Sequence, residues 1–150
     1  MEILAPVGSP EALVAAIKGG CDAVYLAGKN FGARSFAKNF TDQELEGAIA
    51  YAHEHGVKVY VTVNTLVKNS EIEEAVSFVQ FVKDVGADAV LIQDLGLLKA
   101  TEKIPIAKHA STQMQVHSRE GLEWCHRNGI TRAVLARELN LDEIKEIFIG

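Results

Sequence analysis

Short apolar runs alternate with stretches of helical periodicity along the whole chain. Ile3-Leu4-Ala5 predicts a short strand, broken by Pro6-Val7-Gly8. Ser9 then suits a helix N-cap, Pro10 the first helical position and Glu11 the positive end of the dipole. Leu13, Val14, Ala16 and Ile17 form that helix's buried side, and Gly19-Gly20 ends it. A second strand, Ala23-Val24-Tyr25-Leu26, leads into a loop with Gly28 and Gly32. Thr41-Asp42-Gln43-Glu44 reads as a capping box, followed by Leu45, Ala48, Ile49 and Ala52 at helical spacing and a stop at Gly56. The third unit is a strand over Val57 to Val63 and a helix from a second box, Ser70-Glu71-Ile72-Glu73, through Val76, Val79 and Val82 to Gly86. Ala89-Val90-Leu91-Ile92 predicts the fourth strand, with a shorter helix near Leu95 to Lys103. The fifth strand falls around Ile106 to Ala110 and its helix over about Ser118 to Asn128. The sixth is predicted at Ala133-Val134-Leu135-Ala136, and a last helix starts at Asn140-Leu141-Asp142-Glu143, with Ile144, Ile147 and Phe148 on its apolar side.

One local device recurs. In Gly20-Cys21-Asp22-Ala23-Val24-Tyr25-Leu26, in Gly86-Ala87-Asp88-Ala89-Val90-Leu91-Ile92 and in Gly129-Ile130-Thr131-Arg132-Ala133-Val134-Leu135, a glycine ends a helix and a short turn feeds an apolar strand. Such strands between helices mean a parallel sheet covered on both faces. The run Ala5-Pro6-Val7-Gly8-Ser9-Pro10 is not the glycine fingerprint of a dinucleotide-binding sheet, which shifts weight to a barrel. The expectation is an α/β, (β/α) barrel-like fold: about six βα units of an eight-unit barrel, with residues 1–150 forming a single incomplete domain that stops about two units early.

Composition narrows the classes. The 150 residues are 48% apolar and 23% charged, as in an ordinary globular domain. The apolar runs are strand-sized, which argues against a transmembrane helix, and the start, Met1-Glu2-Ile3, lacks the basic region of a signal peptide. A net charge of −5 disfavours a general nucleic-acid coat protein. The expected location is cytoplasmic. Cys21 and Cys125 make neither a disulfide framework nor a metal quartet, and His53-Glu54-His55 lacks zinc-protease spacing, so no metal ligand set is expected.

In parallel α/β folds, function collects where strands end at their C-termini. Polar residues follow five successive strands: Lys29, Asn30 and Arg34; then Asn64 and Thr65; then Gln93 and Asp94; then His109, Ser111, Thr112 and Gln113; then Arg137 and Glu138. An imidazole at His109 could serve as general base with Ser111 or Thr112 as nucleophile or binding group, or it could be a buried histidine holding a loop. Asp94 and Glu138 could together activate water; Asn64 and Asp94 could equally cap turns or helices. Lys29, Asn30, Arg34, Asn64, Gln93, Thr112, Gln113 and Arg137 are the candidate binding residues. With Lys38 and Lys68, the loop cations form a basic rim suited to an anionic small molecule, against the plainer reading of a solvated loop. His53 and His55 suit a helix C-terminus.

Several runs carry a family resemblance: Leu4-Ala5-Pro6-Val7-Gly8-Ser9-Pro10-Glu11-Ala12, Phe31-Gly32-Ala33-Arg34, Lys38-Asn39-Phe40-Thr41, Val61-Thr62-Val63-Asn64-Thr65-Leu66, Gln93-Asp94-Leu95-Gly96, His109-Ala110-Ser111-Thr112-Gln113-Met114 and Val134-Leu135-Ala136-Arg137-Glu138-Leu139. In this order, over essentially the whole chain, they resemble the collagenase-like peptidase family of unknown catalytic type (peptidase family U, number thirty-two). The resemblance implies a (β/α)₈-like barrel and two activities. One is peptide hydrolysis, for which the family has no established catalytic residues. The other is oxygen-independent hydroxylation of tRNA or a quinone precursor, in members with a four-cysteine iron–sulfur site, some using prephenate as hydroxyl source. The family cysteines fall beyond Gly150, so no cofactor is expected in this chain and a cluster only in longer relatives. The expected partners are thus a peptide or anionic small molecule, with tRNA as an alternative, no membrane, and another copy of the chain through open sheet edges. A third reading is a non-catalytic interaction fragment.

Overall fold

The computed structural model describes residues 1–33 and 39–148. Six strands form one parallel sheet in the order β1 to β6: Leu4–Pro6, Ala23–Ala27, Lys58–Val63, Ala89–Ile92, Ala107–Ala110 and Ile130–Ala133. The helices between and after them are α1 (Pro10–Lys18), α2 (Asp42–Glu54), α3 (Ile72–Asp84), α4 (Leu95–Ala100), α5 (Arg119–Arg127) and α6 (Leu141–Phe148), with a short 3-10 turn at Thr112–Met114 after β5. No described helix is long and apolar enough to cross a membrane.

Local chemistry sets most boundaries. The Ser9 hydroxyl accepts the Ala12 N–H and caps α1. Thr41 and Glu44 form the reciprocal capping box of α2, whose Leu45, Ala48, Ile49 and Ala52 are all buried. Asn140 and Glu143 cap α6 in the same reciprocal way. Gly86 and Gly129 take φ of +92° and +78°, so each reverses the chain at a helix end where a side chain would be strained.

Beyond one-residue shifts, among them β1 running through Pro6 rather than being broken by it, three elements differ from the sequence expectation. The box at Ser70 does not form: Glu71 is the N-cap residue of α3, and its carboxylate turns back to accept the Lys68 N–H at 2.8 Å. The fourth helix closes at Ala100, where the buried Thr101 hydroxyl donates to the Leu97 carbonyl at 2.7 Å. The sixth strand lies at Ile130–Ala133, three residues earlier than expected at each end. Gly129 delivers the chain straight onto β5, pairing Ile130 with Lys108 and Arg132 with His109 across a register shift. Its polar Thr131 and Arg132 mask it in the sequence.

Strand alternation splits the core in two. Val24, Leu26, Val59, Val61, Val63, Val90 and Ile92 point out to the helices and are essentially inaccessible. Each such side chain contributes about 1.5–3 kcal/mol through burial. Ala23, Tyr60, Ala89 and Leu91 form a second cluster on the inner face, joined by Leu4, Tyr25, Ala107 and Val134. The sheet curls around this cluster far enough for Arg132 of β6 to form an ion pair with Glu2, just before β1. The sheet is thus barrel-like.

Candidate functional site

The inner face opens at the C-terminal ends of the strands into a cavity of about 480 Å³. Its floor is the inner core: Leu4, Tyr25, Leu91 and Val134. Above it, Thr62 and Asn64 come from β3 and its end, and Ser111, Thr112, Gln113 and Gln115 from the turn after β5. Arg137 and Glu138 follow β6. A smaller cleft of about 60 Å³ adjoins it and shares Tyr25, Ala33, Thr62 and Asn64.

Strand parity explains why these residues meet. Tyr60, Thr62 and Asn64 share one face, and His109 and Ser111 share the matching face two strands away. The Asn64 amide donates to Ser111 Oγ at 3.1 Å and accepts the Ala33 N–H at 3.1 Å. Ser111 is buried; it caps the 3-10 turn by accepting the Gln113 N–H, and its hydroxyl donates to Gln113 Oε1 at 3.4 Å.

Of the sequence candidates, Asn64, Ser111, Thr112, Gln113, Arg137 and Glu138 line this cavity. His109 does not. It shares a face with Ser111, but a step of two strand residues is about 6.6 Å, beyond hydrogen-bond reach. Its ring packs edge-on against Tyr60, centroids 4.8 Å apart, and no hydrogen bond joins it to Ser111 among the described residues. Burial, reinforced by the Arg132 charge, pushes its pKa down to about 4, so it is neutral at pH 7. A base–nucleophile pair of His109 and Ser111 is therefore not assembled.

Asp94 does not line the cavity with Glu138. One of its oxygens accepts the Leu97 N–H at 2.8 Å and caps α4, and the other accepts the Val67 N–H at 3.3 Å. Gln93 follows β4 half-buried and outside the cavity lining. Lys29 and Asn30 lie in a separate cleft beside α3, where Asn30 donates to Glu74 at 3.1 Å. Lys68 is exposed in the loop after β3. Arg34 and Lys38 lie outside the described residues, so the basic rim is represented here only by Lys29, Lys68 and Arg137. Sequence reading missed Tyr25, Thr62 and Gln115 in the cavity; the period-two run Tyr60, Thr62, Asn64 was the signal for one of them.

The opposite end of the inner face is built from charge. Glu2 pairs with Arg132 and, at 3.5 Å, with Lys58, and accepts the Tyr60 hydroxyl at 2.9 Å. Arg132 lies over the Tyr60 ring, 5.4 Å from its centroid. The Arg132 hydrogen bond, with Tyr60 and the neighbouring cations, holds the Glu2 carboxyl down at about 2. Burial and the Glu2 bond push the Tyr60 phenol up. His53 and His55 close the end of α2 through Asp88 and the Tyr51 carbonyl, each at 2.8 Å.

The residues present do not fit an iron–sulfur cluster. Cys21 sits in the turn before β2 and Cys125 inside α5, both buried on the helix side, with thiols pushed up by burial. Among the described residues no three His, Cys, Asp or Glu side chains come together as a metal site.

The fold and the sequence both have counterparts among known proteins. The solved structure of the U32 peptidase Mk0906 superposes with a TM-score of 0.80 at 15% identity, over 99% of this chain and 64% of that one, a likeness of fold. The chain is 38% identical over 147 residues to a 23S rRNA 5-hydroxycytidine synthase of Escherichia coli, covering 98% of this chain and 22% of that protein. It is also 38% identical over 148 residues to a collagenase of Porphyromonas gingivalis, covering 97% and 35%. The chain thus spans between a fifth and about a third of these curated relatives. The model of peptidase family U32 matches residues 8–148, and the chain belongs to that family.

Proposed function

We propose that the cavity binds a peptide and that the chain takes part in its hydrolysis, with Glu138 as the water-activating base. The observation that carries this is the cavity's lining: Glu138, its one carboxylate among the described residues, follows Arg137 in the chain and lines the same cavity as a set of amides and hydroxyls. Glu138 takes a proton from water as the water oxygen attacks the scissile carbonyl carbon. Arg137 offsets the charge on the resulting oxyanion, and the amide C–N bond breaks as the proton passes to the leaving nitrogen. Water is preferred over Ser111 as nucleophile, because among the described residues the Ser111 hydroxyl bonds only Asn64 and Gln113 and no base that could activate it. Glu138→Gln should lower cleavage of an unstructured peptide at least about a hundredfold and leave the unfolding midpoint in place. Unchanged cleavage would remove Glu138 from the reaction.

A second reading is favoured by the apolar floor. Leu4, Tyr25, Leu91 and Val134 beneath an amide-bearing wall also suit a flat heterocycle, and the Escherichia coli relative is named for an rRNA base. Arg137 would then meet the RNA phosphate. Tight, salt-sensitive binding of a short single-stranded RNA, weakened in Arg137→Ala, with no peptide cleavage, would favour this reading over hydrolysis. Either reading is compatible with a cytoplasmic protein. Each outer strand of the sheet, β1 and β6, has one neighbour in the sheet, which supports pairing between copies; a clean monomer at high concentration in sedimentation would reject that part.

A further inference from the structure

Hydrogen bonding along one wall of the cavity has a fixed direction, set by a group that can only donate. The Ala33 backbone N–H meets Asn64 Oδ1 at 3.1 Å. That fixes which end of the Asn64 amide is oxygen, so Nδ2 is the atom that donates to Ser111 Oγ at 3.1 Å. The Gln113 backbone N–H donates to the same oxygen at 3.4 Å. With both lone pairs of Ser111 engaged, its single proton goes to Gln113 Oε1, also at 3.4 Å. The oxygen of the Gln113 amide is thereby turned toward Ser111, and among the described residues neither N–H group of Nε2 has a partner, in an exposed side chain on the cavity wall.

The start of the relay is itself held in place. Phe31 adopts φ of +63°, a conformation that a bulky residue keeps only when its surroundings enforce it. Thr65 donates to the Phe31 carbonyl at 3.3 Å, the Phe31 ring packs on Phe78, and the preceding Asn30 bonds Glu74. The Ala33 N–H is thus aimed by three anchors outside the cavity.

We infer that Asn64 is a positioning residue: acting through Ser111, it orients the Gln113 amide so that Nε2 presents N–H donors to an acceptor oxygen of the ligand, the carbonyl of an amide. The choice of ligand rests on the peptide reading above; the orientation of Gln113 rests on the relay alone. Asn64→Asp keeps the shape and removes the donor. Its two oxygens accept the Ala33 N–H and the Ser111 O–H, which withdraws the Ser111 proton from Gln113 and frees that amide to turn. Ser111→Ala breaks the relay at its middle and serves as the second variant.

The test follows the side-chain amide signals of ¹⁵N-labelled protein during titration with N-acetylglycine N-methylamide, alongside peptide cleavage. In the wild type the Gln113 Nε2 signals should move with the probe. In Asn64→Asp and Ser111→Ala that response should be mostly lost, with KM raised roughly tenfold and kcat changed by less than about threefold. A Gln113 signal that ignores the probe in the wild type, or responds equally in all three proteins, overturns the inference. Glu138→Gln separates the two proposals. It should lose cleavage and keep the Gln113 response, so an idle Glu138 rejects the hydrolytic role while the relay stands, and a silent Gln113 beside intact cleavage rejects the relay alone.

Discussion

The two ends of the inner face use polar groups in opposite ways. At the N-terminal end, Glu2, Arg132, Tyr60 and Lys58 satisfy one another around His109, and the first and last strands are tied across the sheet. At the C-terminal end the groups are mostly neutral amides and hydroxyls around an open volume, with the charges of Arg137 and Glu138 beside them. Matched charges that fill space hold the curl of the sheet. Polar groups that bond one another on one side and leave donors facing empty volume are arranged for a ligand. Parallel barrels separate stability and function along the strand axis in this manner.

The largest effect that would sharpen the contrast is a loss of stability in acid. His109 titrates at about 4 in the fold against an ordinary 6.5, so between those values the unfolded chain binds the extra proton. Its contribution is complete above pH 6.5 and is lost as the pH falls to 4, a change of about 3 kcal/mol. Urea midpoints measured across that range should drop in the wild type and stay nearly level in His109→Gln. A level wild-type profile would mean that the imidazole is solvated and free to act elsewhere.

A smaller effect belongs to Glu2, whose side chain is 22% exposed against 41% for Arg132. Its depressed carboxyl adds stability present above about pH 4.5 and lost as the pH falls through about 2. Glu2→Gln should cost about 1–2 kcal/mol at pH 7 and leave ligand binding unchanged. Weakened binding in this variant would break the separation of the two ends.

Smaller again are the caps beside the site. Asp94→Ala should cost about 1 kcal/mol through α4, while Ser70→Ala should change stability by less than about 0.5 kcal/mol, because α3 is not capped by Ser70. Thermal melts of the two variants check both; equal losses would restore the box expected from sequence.

Much of the fold and part of the site are legible in the amino-acid order alone. Ser9, Thr41 and the glycine turns mark the helices, and the polar residues after β3, β5 and β6 do converge, because in a parallel sheet every strand ends on the same side. What stays hidden depends on distance and on partners remote in sequence. Adjacency makes His109 and Ser111 look like a pair, although sharing a strand face sets them one storey apart. Arg132 looks like a turn residue, because the partner that holds its guanidinium against the inner face, Glu2, lies 130 residues earlier. Asp94 looks equally catalytic or structural until both its oxygens are placed on backbone N–H groups.

The most direct test of the account compares peptide cleavage by Glu138→Gln and His109→Gln under identical conditions, with urea midpoints recorded for both. Glu138→Gln should lose cleavage at an unchanged midpoint, and His109→Gln should keep its kcat while its midpoint no longer falls between pH 6.5 and 4. A folded His109→Gln protein without cleavage, beside a fully active Glu138→Gln, would contradict it and place the chemistry at the other end of the sheet.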